Sequence, residues 1–189
     1  MIEIIFFLFA YFIGNLLTGQ LLAKGFYHKD LYLEGSGNVG ARNAGRIFGK
    51  TAFLLTFFGD AGKGAIVMIC SQYMGLPPSK QLLALFLAIL GHIFPVLFRF
   101  KGGKGMATFI GGVLAFHPLL FALFVGVFLC LYVLMRSLTM AGMIAVVSLP
   151  MIMVFYSYST IEIILSFCIS GLVLFAHRQN MKLRVQKGG

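Results

Sequence analysis

Residues 101–105 read Lys-Gly-Gly-Lys-Gly and interrupt an otherwise apolar sequence. Residues 81–98 before this stretch contain no Lys, Arg, Asp or Glu, and neither do residues 105–135 after it. Glycines allow backbone N–H groups to turn toward an anion, and lysines add positive charge. The stretch therefore predicts a phosphate-binding loop held at a membrane surface. The alternative is a basic loop that anchors the protein to lipid phosphates.

The composition is typical of an integral membrane protein. Of the 189 residues, 60% are hydrophobic and 11% are charged, and the mean hydropathy is +0.97. A soluble domain has about 25% charged residues, so the apolar excess indicates a non-aqueous solvent. In a soluble chain the net charge of +10 would indicate nucleic-acid binding. Here topogenic loops and anionic substrates explain it better, and we expect no nucleic-acid partner.

A single integral membrane domain, residues 1–189, with seven transmembrane helices is predicted. Helices are expected because each span must satisfy its own backbone hydrogen bonds. A long polar loop covers residues 24–50, and no basic n-region or cleavage site marks the first span as a signal peptide. The spans lie near residues 2–23, 51–74 and 80–98, then twice within 106–135, then near 138–156 and 160–177.

The stretch 106–135 leaves two alternatives. It is long enough for one steeply tilted span, or it forms two passes broken at His117-Pro118, because proline disfavours a continued helix. The first pass would then be roughly 16 Å long against a core of about 30 Å, which makes it a half-helix after a loop that dips into the membrane. Two passes place the basic loops, Arg136 and the basic tail on one face, so the positive-inside rule favours them. We therefore expect a short fourth segment, the N-terminus outside and the C-terminus in the cytoplasm.

Three polar clusters would share the cytoplasmic face. Residues 34–46 read E-G-S-G-N-V-G-A-R-N-A-G-R, in which glycines alternate with neutral donors and arginines suited to an oxyanion. The second cluster joins G-H-I-F-P at 91–95 to the loop at 101–105. The third is H-R-Q-N, where His177 and Asn180 lie on one helix face. The plainer alternatives are a flexible turn, a lipid anchor and a basic stop-transfer end.

Asp60 and Lys63 lie inside a predicted span. Ionisable residues within a membrane are costly and are usually paired or functional. Their i, i+3 spacing permits an ion pair, and we expect a structural pair that shapes the pocket wall. The three cysteines, Cys70, Cys130 and Cys168, lie in apolar stretches without CxxC spacing, so we expect no disulfide, no metal and no cofactor.

Four motifs together resemble those of the bacterial acyl-phosphate-dependent glycerol-3-phosphate acyltransferase family. They are S-G-N-V-G-A-R-N-A-G-R (36–46), D-A-G-K-G (60–64), G-H-I-F-P with F-K-G-G-K-G-M-A (91–95 and 100–107), and H-R-Q-N (177–180). The resemblance implies a polytopic enzyme of the bacterial inner membrane. It would transfer an acyl group from acyl phosphate to the 1-hydroxyl of glycerol 3-phosphate, giving lysophosphatidic acid and phosphate for phospholipid biosynthesis. We infer no obligatory protein partner.

The resemblance also implies roles at the matching positions. The serine-glycine-asparagine loop and the glycine-rich loop would bind phosphate with Arg46 and Lys104 as cations and with backbone N–H groups. The predicted phosphate-binding residues are Ser36, Gly37, Asn38, Gly40, Arg46, Gly102, Gly103, Lys104, Gly105 and Asn180. The predicted catalytic residues are Ser36, Lys104, His177 and Asn180.

The sequence departs from the family pattern at three points. Relatives usually carry threonine where Arg42 stands. They often carry a serine pair in the region of Thr139 and Gly142, where the glycine removes one polar contact. A glutamate usually follows the third motif, whereas this sequence continues to Lys187-Gly188-Gly189.

The chemistry leaves the general base open. An acyl phosphate carries a good leaving group, so no cysteine nucleophile is needed. Either His177 or an oxygen of the donor phosphate accepts the proton, and the second is favoured because nearby Arg and Lys disfavour an imidazolium. A transporter of phosphate or organic phosphate is the alternative function, although its site should lie near the midplane. A structural lipid-binding protein is a third.

Overall fold

The computed structural model describes the backbone of residues 1–185 and the side chains of residues 1–178. Within these residues all regular structure is helical, as predicted, and no strand is present. The helices are α1 (Ile2–Gly14), α2 (Thr18–Phe26), α3 (Ala41–Phe48), α4 (Lys50–Tyr73), α5 (Pro78–Ile93), α6 (Met106–Phe116), α7 (Pro118–Met135), α8 (Leu138–Phe155) and α9 (Thr160–Val185), with a short 3₁₀ helix at Val96–Phe98.

Five segments are long and apolar enough to cross a membrane. They are α4, α5 with its 3₁₀ extension to Phe98, α7, α8 and the Thr160–Arg178 part of α9. The bent pair α1 and α2 makes a sixth if it counts as one span, and α6 is apolar but has only eleven residues. The predicted count of seven needs both the bent pair and α6, so it stays a prediction.

The first predicted span, residues 2–23, is wrong as a continuous helix. Helices α1 and α2 are separated at residues 15–17 and bent by 50°. Polar groups from distant segments satisfy the backbone at this break. Lys63 Nζ donates to the Gly14 carbonyl at 3.0 Å and to the Leu16 carbonyl at 2.8 Å, while the Asn15 side chain accepts from the Leu97 N–H at 3.3 Å. Few backbone groups at the break are therefore left without a hydrogen-bond partner.

The predicted polar loop, residues 24–50, contains a helix that sequence analysis missed. Helix α3 is amphipathic, with Asn43 and Ala44 buried and its two arginines exposed. It ends at Gly49, whose φ of +89° lies in the left-handed region. Glycines at both ends and within α3 lower its intrinsic helix propensity, which explains why the pattern indicated a loop.

The predicted break between the fourth and fifth segments is confirmed. Helix α6 ends at Phe116, and α7 begins at Pro118. His117 between them has extended backbone, and its ring Nδ1 accepts from the Leu120 N–H at 3.4 Å, which caps α7.

Close helix packing determines where the backbone segments lie. Helix α4 packs on α6, and α1 packs on α5. At four glycines an added Cβ would collide with a backbone carbonyl of the facing helix: Gly14, Gly64, Gly91 and Gly111. Small residues at such positions allow helices in a membrane protein to approach closely.

Side-chain contacts show which connections share an end of the bundle. At one end, Lys80 forms an ion pair with Glu3 at 2.7 Å, and Gln72 in the last turn of α4 donates to the Ala115 carbonyl of α6 at 2.9 Å. At the other end, Arg42 of α3 bonds Thr139 of α8 at 3.0 Å. Helix α6 therefore runs from the second end to the first despite its length, because the loop before it folds back beside α5.

Candidate active site

A cavity of about 920 Å³ opens at the end of the bundle that holds the three polar clusters. Its wall combines two kinds of side chain. Polar side chains come from two connections and from the ends and faces of several helices: Ser36, Asn38, Arg42, Asn43, Arg46, Asp60, His92, Lys104, Thr139 and His177. Apolar side chains come from the helices: Phe53, Phe57, Met106, Ala107, Ile110, Phe124, Phe128 and Leu138. Such a cavity suits a ligand with an anionic head and an apolar chain.

Three helices begin at the cavity wall. The first residues of α3 (Ala41), α6 (Met106) and α8 (Leu138) all line it. The N-terminus of a helix presents N–H groups without intrahelical partners and the positive end of the helix dipole. These three ends add to the positive charge of the lining cations, so the cavity is electrostatically suited to phosphate.

Asn43 holds the serine-glycine-asparagine loop in shape. Its Oδ1 accepts from the Ser36 N–H at 3.0 Å, and its Nδ2 donates to the Glu34 carbonyl at 2.9 Å. Asn43 is 2% exposed, so both bonds are shielded from water. The Gly37 N–H also bonds the Glu34 carbonyl, at 3.0 Å. The Ser36 and Gly37 N–H groups therefore bond within the loop, while Ser36 and Asn38 line the cavity. The predicted roles of these residues in phosphate binding stay predictions.

The glycine-rich loop packs on His92. The His92 carbonyl accepts from the Gly103 N–H at 3.0 Å, and a Cβ on Gly103 would collide with the His92 ring. A Cβ on Gly102 would collide with the His92 carbonyl, and Gly105 has a φ of +75° where it caps α6. Gly102, Gly103 and Gly105 are absent from the described cavity lining, and their predicted role in binding phosphate stays a prediction. They position Lys104, which does line the cavity.

Lys104 is half-buried beside another cation. Burial and the positive charge of Arg42 hold the pKa of the Lys104 ammonium below its usual range. Asp60, the one carboxylate in the described lining, pairs with Lys63 at 3.0 Å. An anion bound here would lower the mutual repulsion of the cations.

Tyr32 links the two phosphate-site loops. Its hydroxyl donates to the Lys101 carbonyl, and its N–H donates to Asp30 Oδ1 at 3.0 Å. Burial, with the nearby Asp30 charge, raises the pKa of Tyr32 to about 12. The phenol therefore stays protonated and remains a donor across the physiological pH range.

His177 is 7% exposed and lies 2.8 Å from the Val173 carbonyl through Nδ1. Because a carbonyl only accepts, Nδ1 carries a proton, and Nε2 of a neutral ring is free to accept a proton or a hydrogen bond. Asn180 lies about one turn later in α9, but its side chain is outside the described residues. Its predicted role therefore stays a prediction.

Four polar lining residues were not predicted as site residues: Arg42, Asn43, His92 and Thr139. Asn43 belonged to the first polar cluster but had no role of its own, and neither had Arg42. Thr139 was noted only as a departure from the family pattern. Arg42 Nη1 donates to Thr139 Oγ1, 97 residues away in the sequence. No local pattern signals a contact at that separation, so only the fold identifies it.

Comparisons with known proteins identify what the chain is similar to. The sequence model of the family described as glycerol-3-phosphate acyltransferase matches residues 4–187. A Bacillus cereus protein named glycerol-3-phosphate acyltransferase 1 is 45% identical over 170 residues, 90% of this chain and 93% of that protein. A Desulfitobacterium hafniense protein of the same name is 35% identical over 187 residues, 99% of this chain and 93% of that protein.

Solved structures of similar proteins share the fold. The glycerol 3-phosphate form of PlsY (YgiH), an integral membrane glycerol 3-phosphate acyltransferase, matches with a TM-score of 0.90 and 32% identity, covering 100% of this chain and 94% of that one. The lysophosphatidic acid form of PlsY matches with a TM-score of 0.87 and 31% identity, covering 100% and 93%.

Proposed function

This chain belongs to the glycerol-3-phosphate acyltransferase family, and we propose that it acylates the 1-hydroxyl of glycerol 3-phosphate with an acyl phosphate as donor. It is an integral membrane enzyme of phospholipid synthesis, which confirms the family resemblance of the four motifs. The family excludes the transporter that the sequence left open as an alternative.

The observation that carries the proposal is the make-up of the cavity. Three basic side chains, Arg42, Arg46 and Lys104, share its wall with a phenylalanine-rich surface. A phosphate monoester carries a charge of about −2 at neutral pH. The basic side chains therefore match the negative charge of two phosphate-bearing substrates. Phe57, Phe124 and neighbouring apolar residues suit an acyl chain.

An acyl phosphate donor also fits the chemistry of the lining. None of Cys70, Cys130 and Cys168 is among the described lining residues, so none is placed there to form an acyl thioester on the enzyme. Direct transfer from an acyl phosphate does not need such an intermediate. The same cations that bind the donor phosphate would stabilise it as it leaves with the electron pair of the broken C–O bond. A thioester donor would release a thiolate rather than a phosphate at the reacting carbon.

The proposed step is a direct attack. The 1-hydroxyl oxygen of glycerol 3-phosphate bonds to the acyl carbonyl carbon, and the bond from that carbon to the phosphate oxygen breaks. The hydroxyl proton passes to an oxygen of the departing phosphate. Arg46 and Lys104 hold phosphate, Ser36 and Asn38 donate hydrogen bonds, and His177 binds phosphate rather than acting as the base. Asn180 orients substrate.

We further propose seven membrane segments in a bacterial inner membrane, with the N-terminus outside and the cavity open to the cytoplasm. The charge distribution supports this orientation. The connections at the cavity end hold Lys24, Lys29, Lys50, Arg99, Lys101 and Arg136, besides the lining cations. The connections at the other end hold Lys80, which is paired with Glu3. The positive-inside rule then assigns the cavity end to the cytoplasm.

A donor comparison tests the proposal. Purified protein in detergent is supplied with glycerol 3-phosphate and, in parallel, a palmitoyl phosphate or a palmitoyl thioester. We expect lysophosphatidic acid with the acyl phosphate and none above background with the thioester. Lysophosphatidic acid formed from the thioester alone would overturn the donor assignment and leave the acyltransferase assignment intact.

A further inference from the structure

Arg42 projects from the first turn of α3 into the cavity wall and reaches α8. Its Nη1 donates to Thr139 Oγ1 at 3.0 Å, and both residues line the cavity. The bond ties the start of one helix to the start of another across the cavity. It fixes one nitrogen of the guanidinium and leaves the remaining N–H groups for other acceptors.

Within residues 1–178 the charge of Arg42 has no acidic partner. Among the described residues, no carboxylate lies within ion-pair distance of its guanidinium, and Thr139 is a neutral partner. Lys104 feels this charge, because Arg42 is one of the two causes that hold the pKa of Lys104 below its usual range. An anion bound between these two cations would lower their mutual repulsion, so they favour an anionic ligand.

The wall beside Arg42 has room for such a ligand. Gly142 lies about one turn after Thr139 in α8 and lines the cavity. A Cβ added there would meet only Met106 Cε, at 3.9 Å, so the space in front of α8 is open. Arg42 itself is exposed, so its free N–H groups are accessible.

We propose that Arg42, positioned by Thr139, is a third phosphate-binding cation that contacts the phosphate group of one of the two substrates directly. The proposal rests on the proposed function, in which two phosphate-bearing substrates share the cavity. A guanidinium binds a phosphate through two parallel hydrogen bonds, which a threonine cannot reproduce.

Kinetics of Arg42→Thr test the proposal. Loss of a charge-assisted contact made equally in the ground state and the transition state raises KM and leaves kcat unchanged. We expect the KM of one substrate to rise about ten- to hundredfold, the KM of the other to change less than about threefold, and kcat to stay within about threefold. Lys50→Met is the matched control, because Lys50 is an exposed cation of the same end outside the cavity lining.

Thr139→Val separates positioning from a general structural effect. It removes the hydroxyl and keeps the shape, so the KM of the same substrate should rise about three- to tenfold. In the Arg42→Thr background the second change should add nothing, because the bond is already lost. Additive effects, or unchanged KM values in Arg42→Thr, would overturn the proposal.

A binding readout keeps this test independent of the acyl donor. Glycerol 3-phosphate and inorganic phosphate are titrated into wild type and Arg42→Thr, and the rise in Tm is measured. We expect Arg42→Thr to lose the Tm shift of at least one of the two ligands at concentrations that shift wild type. Equal shifts in both proteins contradict the role of Arg42. A wild type that binds phosphate without acyl-phosphate turnover contradicts the proposed function instead.

Discussion

Lys63 Nζ lies 2.7 Å from His92 Nδ1, deep between α4 and α5. Both side chains are at most 5% exposed. The lysine also bonds the Gly14 and Leu16 carbonyls at the break between α1 and α2. Through its own carbonyl, His92 holds the Gly103 N–H next to Lys104. One buried ammonium therefore connects the broken first span to the loop that presents a phosphate-binding cation.

Removing this ammonium should destabilise the whole protein. Lys63→Met leaves the Asp60 carboxylate buried without its partner and leaves two carbonyls unsatisfied. Breaking a buried pair in this way costs about 3–5 kcal/mol. Thermal unfolding in detergent should show a clearly lower Tm, and adding Asp60→Asn to Lys63→Met should recover part of it. An unchanged Tm would show that the network carries no stability.

The contact between Gly103 and the His92 ring should make position 103 intolerant of a side chain. Gly103→Ala forces the loop away from His92 and moves Lys104, so kcat/KM should fall about a hundredfold. Gly62→Ala in α4 is the matched control, since a Cβ there meets nothing within 4 Å. It should leave kcat/KM unchanged. Equal activity of the two variants would contradict the positioning role of the glycine loop.

The lowered pKa of Lys104 predicts an alkaline limit on substrate binding. As pH rises through this lowered pKa, below the ordinary lysine value of 10.5, Lys104 loses its charge and phosphate binding weakens. The KM of a phosphate substrate should therefore rise with pH in that range. Arg42→Thr removes one cause of the shift, so its alkaline limb should move to higher pH. A pH profile of KM checks the direction, and a limb that moves to lower pH would be inconsistent with the geometry.

The lowered pKa of Lys104 also affects the stability of the ligand-free protein, and stability changes with pH in the opposite direction to substrate binding. Between the lowered pKa of Lys104 and 10.5, the unfolded chain binds more protons than the folded chain. This group therefore contributes a stability that rises with pH in that window, whereas substrate binding weakens there.

His177 distinguishes the two general bases. If the donor phosphate takes the proton, His177→Gln should raise KM and reduce kcat by less than about tenfold, because a side-chain general base contributes about 10²–10⁴. Steady-state kinetics with both substrates varied provide the measurement. A kcat reduced by several orders of magnitude with unchanged KM would identify His177 as the base.

Local sequence features predicted part of the fold. The apolar stretches gave the positions of the long helices, and Pro118 gave the break after α6. The break at residues 15–17 escaped detection because its compensation comes from Lys63, far along the chain. Helix α3 escaped because its glycines resemble a loop, and its stability comes from packing on α4.

The motifs identified many of the residues that line the cavity, but they did not show how these residues contact one another. Ser36, Asn38, Gly40, Arg46, Lys104 and His177 all line the cavity, as expected of residues in the three polar clusters. The contact of the 101–105 loop with His92 was not predicted, because it depends on how α5 and the loop fold together. The Arg42–Thr139 bond depends likewise on the approach of α3 to α8.

Direct acyl transfer is the central claim, and phosphate release tests it most directly. Purified protein is given palmitoyl phosphate with and without glycerol 3-phosphate, and inorganic phosphate and lysophosphatidic acid are measured together. We expect one phosphate released for each lysophosphatidic acid formed, and no release above the spontaneous rate without glycerol 3-phosphate. Enzyme-dependent phosphate release in the absence of glycerol 3-phosphate would contradict it.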